Sequence, residues 1–411
     1  MKFIMLKLGS KEIDLTLVVA ALMLSIIGIL LIYSAKMHSD HPAEKAIYIK
    51  QMIWLALGLV ACVLTLSIPL RFFEVFSYVF YLLSLITLIV ILVVGTSKMG
   101  AARWISLGGF NFQPSEFVKI ATIFPLARYL AYSKRSFYSF RWLVSVVGLA
   151  LLPALLILRQ PDLGTALVFF AILIFMIFWS GVPLFYIFLI VSPIISLICG
   201  FHWISWGIFF LVLITLLYRI RLAFIFTVGF LLLNLAFGAV TLVVWNKLHD
   251  YQQQRIIVFL DPGRDPQGAG YQIIQSKIAI GSGGLVGKGY LEGSQTKLAF
   301  LPHQHTDFVF SVLGEEFGLL GGTVLLGLFA FLVVKGILIA QKTRNTFASN
   351  VAIGLTAVIG FQMVVNIGMT LGIMPVTGLP LPFVSYGGSS MLASWTMLGI
   401  LLAINSKWYE Y

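Results

Sequence analysis

The chain has 411 residues, of which 60% are hydrophobic and only 10% charged, where a soluble domain carries roughly 25% charged side chains. This composition excludes an ordinary cytosolic globule, and at about 20 apolar residues per membrane span it leaves room for about twelve spans and their connections. The net charge of +12, from 27 Lys and Arg against 15 Asp and Glu, fits a membrane protein with basic cytoplasmic ends better than a nucleic-acid binder.

In chain order, Lys2, Lys7 and Lys11 precede an apolar run over 15–35. That run is about twice as long as a signal-peptide core and reads as a retained first span. Further spans are expected over 50–68, 77–95, 116–132, 141–158 and 162–181. Three apolar runs follow at 185–201, 203–219 and 222–245, broken by Gly200-Phe201-His202 and Arg219-Ile220-Arg221. A polar segment from Lys247 to Asp307 leads to spans over 308–340, 350–373 and 389–405. The first of these is long enough to be tilted or to start as a re-entrant piece. The expected architecture is an all-α polytopic membrane protein, one integral membrane domain over 1–411 with about 12 transmembrane helices. Basic residues such as Arg71, Arg128, Lys134, Arg135, Lys342 and Arg344 concentrate in the short connections on the N-terminal side. Both termini are therefore expected in the cytoplasm and segment 246–307 outside. Cys62 and Cys199 lie in apolar runs without CxxC spacing and read as small hydrophobes.

Acids are scarce enough to weigh singly. Glu12, Asp14, Asp40, Glu44, Glu74 and Glu410 fall near helix ends, where solvated charge is the default. Glu116 and Lys119 in Gln113-Pro114-Ser115-Glu116-Phe117-Val118-Lys119 share a helical face at i,i+3 spacing. Lipid penalises such a pair, so it should face a protein-lined or water-filled cavity, the alternative being an interhelical salt bridge that fixes packing. Arg103-Trp104, in a Gly-rich connection, offers a guanidinium suited to phosphate oxygens or else an interfacial aromatic beside a snorkelling cation. Asp162 in Gln160-Pro161-Asp162-Leu163-Gly164-Thr165 is expected to cap the next helix.

The polar segment contains Asp250, then Asp261-Pro262-Gly263-Arg264-Asp265-Pro266, whose Asp-Pro steps enforce turns that could hold a carboxylate at a cavity mouth or simply a solvated turn. The run Gly281-Ser282-Gly283-Gly284-Leu285-Val286-Gly287-Lys288-Gly289 fails as a phosphate loop, because Ser282 stands where Gly is required and Gly289 where Ser or Thr is required. His303 and His305, near Asp307, suggest metal ligation or hydrogen-bonded positioning of the loop. Pro375 through Ser390, including Ser385, reads as a rigid connection entering the last span, similar to the broken-helix sites of transporters.

Together these segments resemble the SEDS (shape, elongation, division and sporulation) family of cell-wall polymerases, and within it the RodA, or elongation, branch. The resemblance rests on Arg103-Trp104-Ile105, Gln113-Pro114-Ser115-Glu116, Gln160 through Thr165, Asp265-Pro266 through Gly270-Tyr271-Gln272, Ile278 through Gly284, His305-Thr306-Asp307-Phe308 and Leu381 through Ser390, in family order over nearly the whole chain. The Ile278–Gly284 run and Asp261-Pro262 match the elongation branch more than the division branch, FtsW. The family has ten spans, so the region 185–245 implies a two-helix insertion.

The resemblance implies a peptidoglycan glycosyltransferase that polymerises lipid II, the undecaprenyl-pyrophosphate-linked disaccharide pentapeptide, during elongation. It implies Asp265 as the catalytic position, and Arg103, Trp104, Glu116, Lys119, His305, Asp307 and Ser385 as substrate-binding candidates. It also implies a class B penicillin-binding protein as partner within an elongation complex of the inner membrane. An Asp at 265 suits a general base for the acceptor hydroxyl, Arg103 and Lys119 suit the departing pyrophosphate, and inverting single displacement needs no second carboxylate. No cofactor is expected beyond a divalent cation at the leaving group, for which no ligand set is visible. The rival readings are a lipid II flippase, a division-type polymerase and a non-catalytic scaffold.

Overall fold

The computed structural model describes residues 5–8, 11–37, 42–94, 96–98, 101–107, 110–133, 139–220, 224–248, 253–254, 257–259, 261, 263, 269–298, 300, 302 and 304–406. Asp250, Asp265 and His303 lie outside the described residues, as does the side chain of Arg103. In chain order the elements are β1 (Met5–Leu8), β2 (Lys11–Asp14), α1 (Leu15–Met37), α2 (Pro42–Lys45), α3 (Ile47–Ser67), α4 (Leu70–Val75), α5 (Ser77–Val94), β3 (Thr96–Lys98), β4 (Ala101–Leu107), β5 (Phe110–Phe112), α6 (Ser115–Tyr132), α7 (Phe140–Arg159) and α8 (Leu163–Trp179). They continue with α9 (Leu184–Cys199), α10 (Trp203–Ile220), α11 (Phe224–Ala239), α12 (Thr241–Lys247), α13 (Ala269–Gly283), α14 (Ser294–Lys297), α15 (Val309–Lys342), α16 (Thr346–Thr370) and α17 (Gly388–Ser406).

The described residues of each expected apolar run are mainly helical. Among the described residues, α1, α3, α7, α15, α16 and α17 are long and apolar enough to cross a membrane, and α5, α8, α9, α10 and α11 are shorter apolar helices. At 1.5 Å per residue, the 23 residues of α1 extend about 35 Å, enough for a hydrocarbon core of about 30 Å. The chain is an all-α polytopic membrane protein. Two small antiparallel sheets are added to it, β1–β2 before α1 and β3–β4–β5 in the connection that the sequence presents only as Gly-rich.

The chain divides into two compact units, Met1–Ser180 with Pro262–Tyr411, and Gly181–Asp261. In the first, α16 is buried along most of its length and packs against α6, α8 and α15. The starts of α3, α6, α8, α15 and α17 gather with the ends of α1 and α16 at one end of this unit. At the opposite end, Lys335 Nζ lies 2.7 Å from Asp14 Oδ2, Arg128 donates to the carbonyls of Glu74 at 2.9 Å and Val75 at 3.0 Å, and Trp179 donates to Ser349 Oγ at 2.8 Å. Burial works to raise the Asp14 carboxyl, but Lys335 and Thr16 hold it below the ordinary value.

The second unit is zipped by a polar seam. Asn234 Nδ2 donates to Ser192 Oγ at 3.0 Å, Ser196 Oγ donates to Asn234 O at 2.7 Å, and Trp206 Nε1 donates to Ser196 Oγ at 3.0 Å. Leu189, Phe209, Leu213 and Leu217 form its apolar core.

The run expected at 308–340 is interrupted. Gly318, at φ 61 and ψ −155, occupies a backbone region open essentially to glycine alone. The break separates Glu315 O from Leu319 N and Glu316 O from Leu320 N, two pairs that a continuous helix would bond. The Gly-rich run replaces both: Lys288 N donates to Glu315 O and Gly289 N to Glu316 O, each at 3.0 Å, while Leu319 N donates to Gly284 O at 3.0 Å and Leu320 N to Leu285 O at 3.1 Å. Within the segment read as a polar loop, α13 runs alongside the first turns of α15. It is held there by Ser276 Oγ, 2.6 Å from both Ser311 Oγ and Thr370 O. A Gly318→Ala substitution should unfold this joint. Its Cβ would meet Gly287 N at 2.5 Å, and the backbone strain adds roughly 1–3 kcal/mol, a loss measurable as a lower Tm in detergent.

Candidate functional site

No single motif defines the candidate site; several meet at the end of the first unit where α6, α8, α15 and α17 begin. Ser385 is buried in the connection between α16 and α17. Its hydroxyl accepts from Leu381 N at 2.9 Å and donates to Thr306 O at 2.6 Å. Tyr386 N donates to His305 O at 3.0 Å, and the two rings lie 5.7 Å apart. Burial raises the Tyr386 phenol above its ordinary value. Asp307 O accepts from Asn366 Nδ2 at 2.9 Å. Phe383 sits at φ 64, a strained state for a bulky residue costing roughly 1–3 kcal/mol, and its ring is wedged edge-on against Trp395 at 5.7 Å.

Two further motifs close on this connection. Gln113 N donates to Ser389 Oγ at 2.8 Å, which ties the start of α6 to the first turn of α17. Gly164, in the first turn of α8, has no room for a side chain beside Thr377 O, 2.6 Å from where a Cβ would stand. Asp162 caps α8 as expected, accepting from Thr165 N at 3.1 Å and Thr165 Oγ1 at 2.9 Å.

Glu116 Oε2 and Lys119 Nζ are 2.8 Å apart, with side-chain exposures of 3% and 1%. Glu116 lies in the first turn of α6, where the helix dipole favours an anion. The pair is enclosed by protein and lies on α6. Trp104, in β4, is half-buried. Among the described residues, no group of three or more His, Cys, Asp or Glu is placed to hold a metal ion. An apolar cavity of about 370 Å³ adjoins α6, lined by Phe73, Phe80, Phe112, Pro114, Phe117 and Phe124 among others. It reaches Pro114, two positions before Glu116.

Sequence reasoning missed the role of Glu315. Fully buried, it accepts from Lys288 Nζ and Gln295 N at 2.9 Å, Ser294 Oγ at 3.2 Å, Thr296 N at 3.1 Å and Thr296 Oγ1 at 2.9 Å. It therefore satisfies the first-turn amides of α14 and anchors the chain between the Gly-rich run and His305. Its neighbour Glu316 accepts from Ser34 in α1. The sequence singles out Glu315 and Glu316 among its scarce acids, with the polar-segment acids, but gives neither a role. For the Glu116–Lys119 pair, Glu116→Gln should leave Lys119 as an uncompensated buried cation and cost roughly 3–5 kcal/mol. In thermal unfolding in detergent, Glu116→Gln with Lys119→Met should recover most of that loss.

A family model for cell cycle proteins of the FtsW, RodA and SpoVE type matches residues 14–220 and 204–410. The peptidoglycan glycosyltransferase RodA of Treponema pallidum is 37% identical over 97% of this chain and 99% of its own length. The probable peptidoglycan glycosyltransferase FtsW of Trichlorobacter lovleyi is 37% identical over 96% of this chain and 93% of its own. Among solved structures, a chain from a peptidoglycan synthase complex that coordinates polymerization and crosslinking is similar at a TM-score of 0.72 and 32% identity, over 97% of this chain and 99% of that one. A membrane helical bundle, the motifs gathered at one of its ends and likeness over almost the full length agree: the chain belongs to the FtsW/RodA/SpoVE family, the SEDS family.

Proposed function

We propose that this chain is an elongation-type peptidoglycan polymerase of the inner membrane, joining lipid II units on the outer face with Asp265 as general base. Glycosyltransferase activity on peptidoglycan follows from family membership. The observation that carries the finer reading is the convergence of Gln113–Lys119, Asp162–Thr165, His305–Asp307 and Ser385–Ser389 at one end of the first unit. Arg128, Lys342 and Arg344 fall at the opposite end, which supports cytoplasmic termini and an extracytoplasmic site. The helices over the twelve apolar runs are twelve spans in this reading, with 246–307 as the outer segment and α10–α11 as the insertion.

The chemistry needs a base for the acceptor hydroxyl, positive charge at the departing pyrophosphate and a place for a prenyl chain. Asp265 supplies the first. Arg103 supplies the second, with Lys119 adding its field and Glu116 fixing Lys119. Trp104, His305, Asp307 and Ser385 form the polar rim, and the apolar cavity beside Pro114 suits an isoprenoid. The acceptor oxygen attacks the anomeric carbon as the bond to the pyrophosphate breaks, inverting that centre, and the hydroxyl proton passes to Asp265. A class B penicillin-binding protein would crosslink the product. The elongation assignment rests on the Ile278–Gly284 run and Asp261-Pro262, and is tested by rescue of rod shape against rescue of division in depleted cells.

Purified protein, with its partner, should convert labelled lipid II into a glycan ladder. Asp265→Asn should lower that rate by about 10²–10⁴-fold, the usual contribution of a general base, without lowering Tm. Polymerisation unchanged by Asp265→Asn would overturn the proposal, and lipid movement across vesicles without polymerisation would favour a flippase.

A further inference from the structure

Two buried side-chain amides stand behind the polar rim, and no part of the chemistry above uses them. Gln51, in the second turn of α3, is fully buried. Its Nε2 donates to Ser385 O at 3.1 Å and its Oε1 accepts from Gly387 N at 3.3 Å, so one carboxamide spans both sides of the turn that contains Tyr386. Trp54, one helical turn further along α3, closes over Gly388, where a Cβ would collide with the indole. Asn366, near the end of α16, is also fully buried. Its Nδ2 uses both protons, donating to Asp307 O at 2.9 Å and Leu379 O at 2.8 Å, and its Oδ1 has no hydrogen-bond partner among the described residues.

Neither amide is an economical way to stabilise a helix. A buried polar group is costly unless it is paired, and Asn366 commits both amide protons to backbone carbonyls. Those donations go to backbone atoms outside any helix or strand, which have few other partners in a dry interior. The hydrogen bonds also close a ring. Ser385 Oγ holds Thr306 and Leu381, Thr306 leads to Asp307, and Asn366 joins Asp307 to Leu379, while Gln51 braces that ring from outside at Ser385 and Gly387. The strained Phe383 lies inside this ring.

We propose that Gln51 and Asn366 are positioning residues for glycosyl transfer, locking the His305–Asp307 and Leu379–Gly388 segments into a single register on which the polar rim depends. This rests on the function proposed above. An ångström-scale displacement of a reacting group can cost about 10²-fold in rate, so the effect should fall on kcat.

The test measures lipid II polymerisation and Tm in the full chain with its partner, with rates normalised to folded protein. Gln51→Leu and Asn366→Leu should each lower kcat about 10- to 100-fold with KM changed by less than about threefold. Asn366→Asp, equal in size but unable to donate to two carbonyls, should match Asn366→Leu. The double variant Gln51→Leu/Asn366→Leu should be little worse than the weaker single variant, because both changes release the same connection around Ser385. Unchanged kcat per folded molecule, or losses that multiply in the double variant, would overturn the proposal. If Gln51→Leu fails to fold, Gln51→Glu, which keeps the acceptor for Gly387 N but cannot donate to Ser385 O, should show the same kcat loss, with a wild-type kcat per folded molecule again overturning the idea. Asp265→Asn, run in parallel, separates the two claims: an active Asp265→Asn refutes the reaction itself, whereas an inactive one beside fully active Gln51 and Asn366 variants refutes only the register.

Discussion

In a bilayer there is no water to satisfy a broken hydrogen bond, so every departure from helix inside the bundle must bring its own partner. The joint at Gly318 is built on that constraint. Interrupting α15 frees two carbonyls and two amides, and the backbone of 284–289 pairs with all of them. The Gly-rich run has the shape this pairing requires, since a Cβ at Gly287 would strike Glu316 O and its φ of 88 is in the left-handed region. Once the run is seated, α13 on one side and the Glu315-anchored segment on the other have fixed positions. The chain that follows Asp265 and the chain that reaches His305 are thereby tied to the same helix break.

The same constraint governs side chains. Glu116 is paired with Lys119, Asp14 with Lys335, and Glu315 with Lys288. These pairs sit at different depths and ends of the first unit, and each takes a charge that lipid or apolar packing would reject. Uncharged amides do the finer work at the rim, where Gln51 and Asn366 bind backbone rather than one another. Strain at Phe383 is tolerated because that surrounding network defines its position from several sides.

Local signals were strong where chemistry is local. The Asp162 cap is readable from Pro161-Asp162 through Thr165 alone, since the accepting oxygen and the donating amide are three residues apart. The i,i+3 spacing likewise paired Glu116 with Lys119. The Gly281–Gly289 run was different: its sequence excluded a phosphate loop but did not show its partner, which lies beyond it in the chain around Gly318. Gln51 and Asn366 left no trace, because a lone amide in an apolar helix looks the same whether it binds its own helix or a distant loop.

The sequence by itself determined the class of molecule, the order of its helices and the family, because apolar run length and motif order are properties of the chain in one dimension. Tertiary structure alone decided that α15 is broken, that Glu315 anchors the returning segment, that Lys119 is enclosed, and that the rim is stitched through Gln51, Ser385 and Asn366. Those facts depend on which atoms meet across tens to hundreds of residues, and only the folded bundle sets those distances.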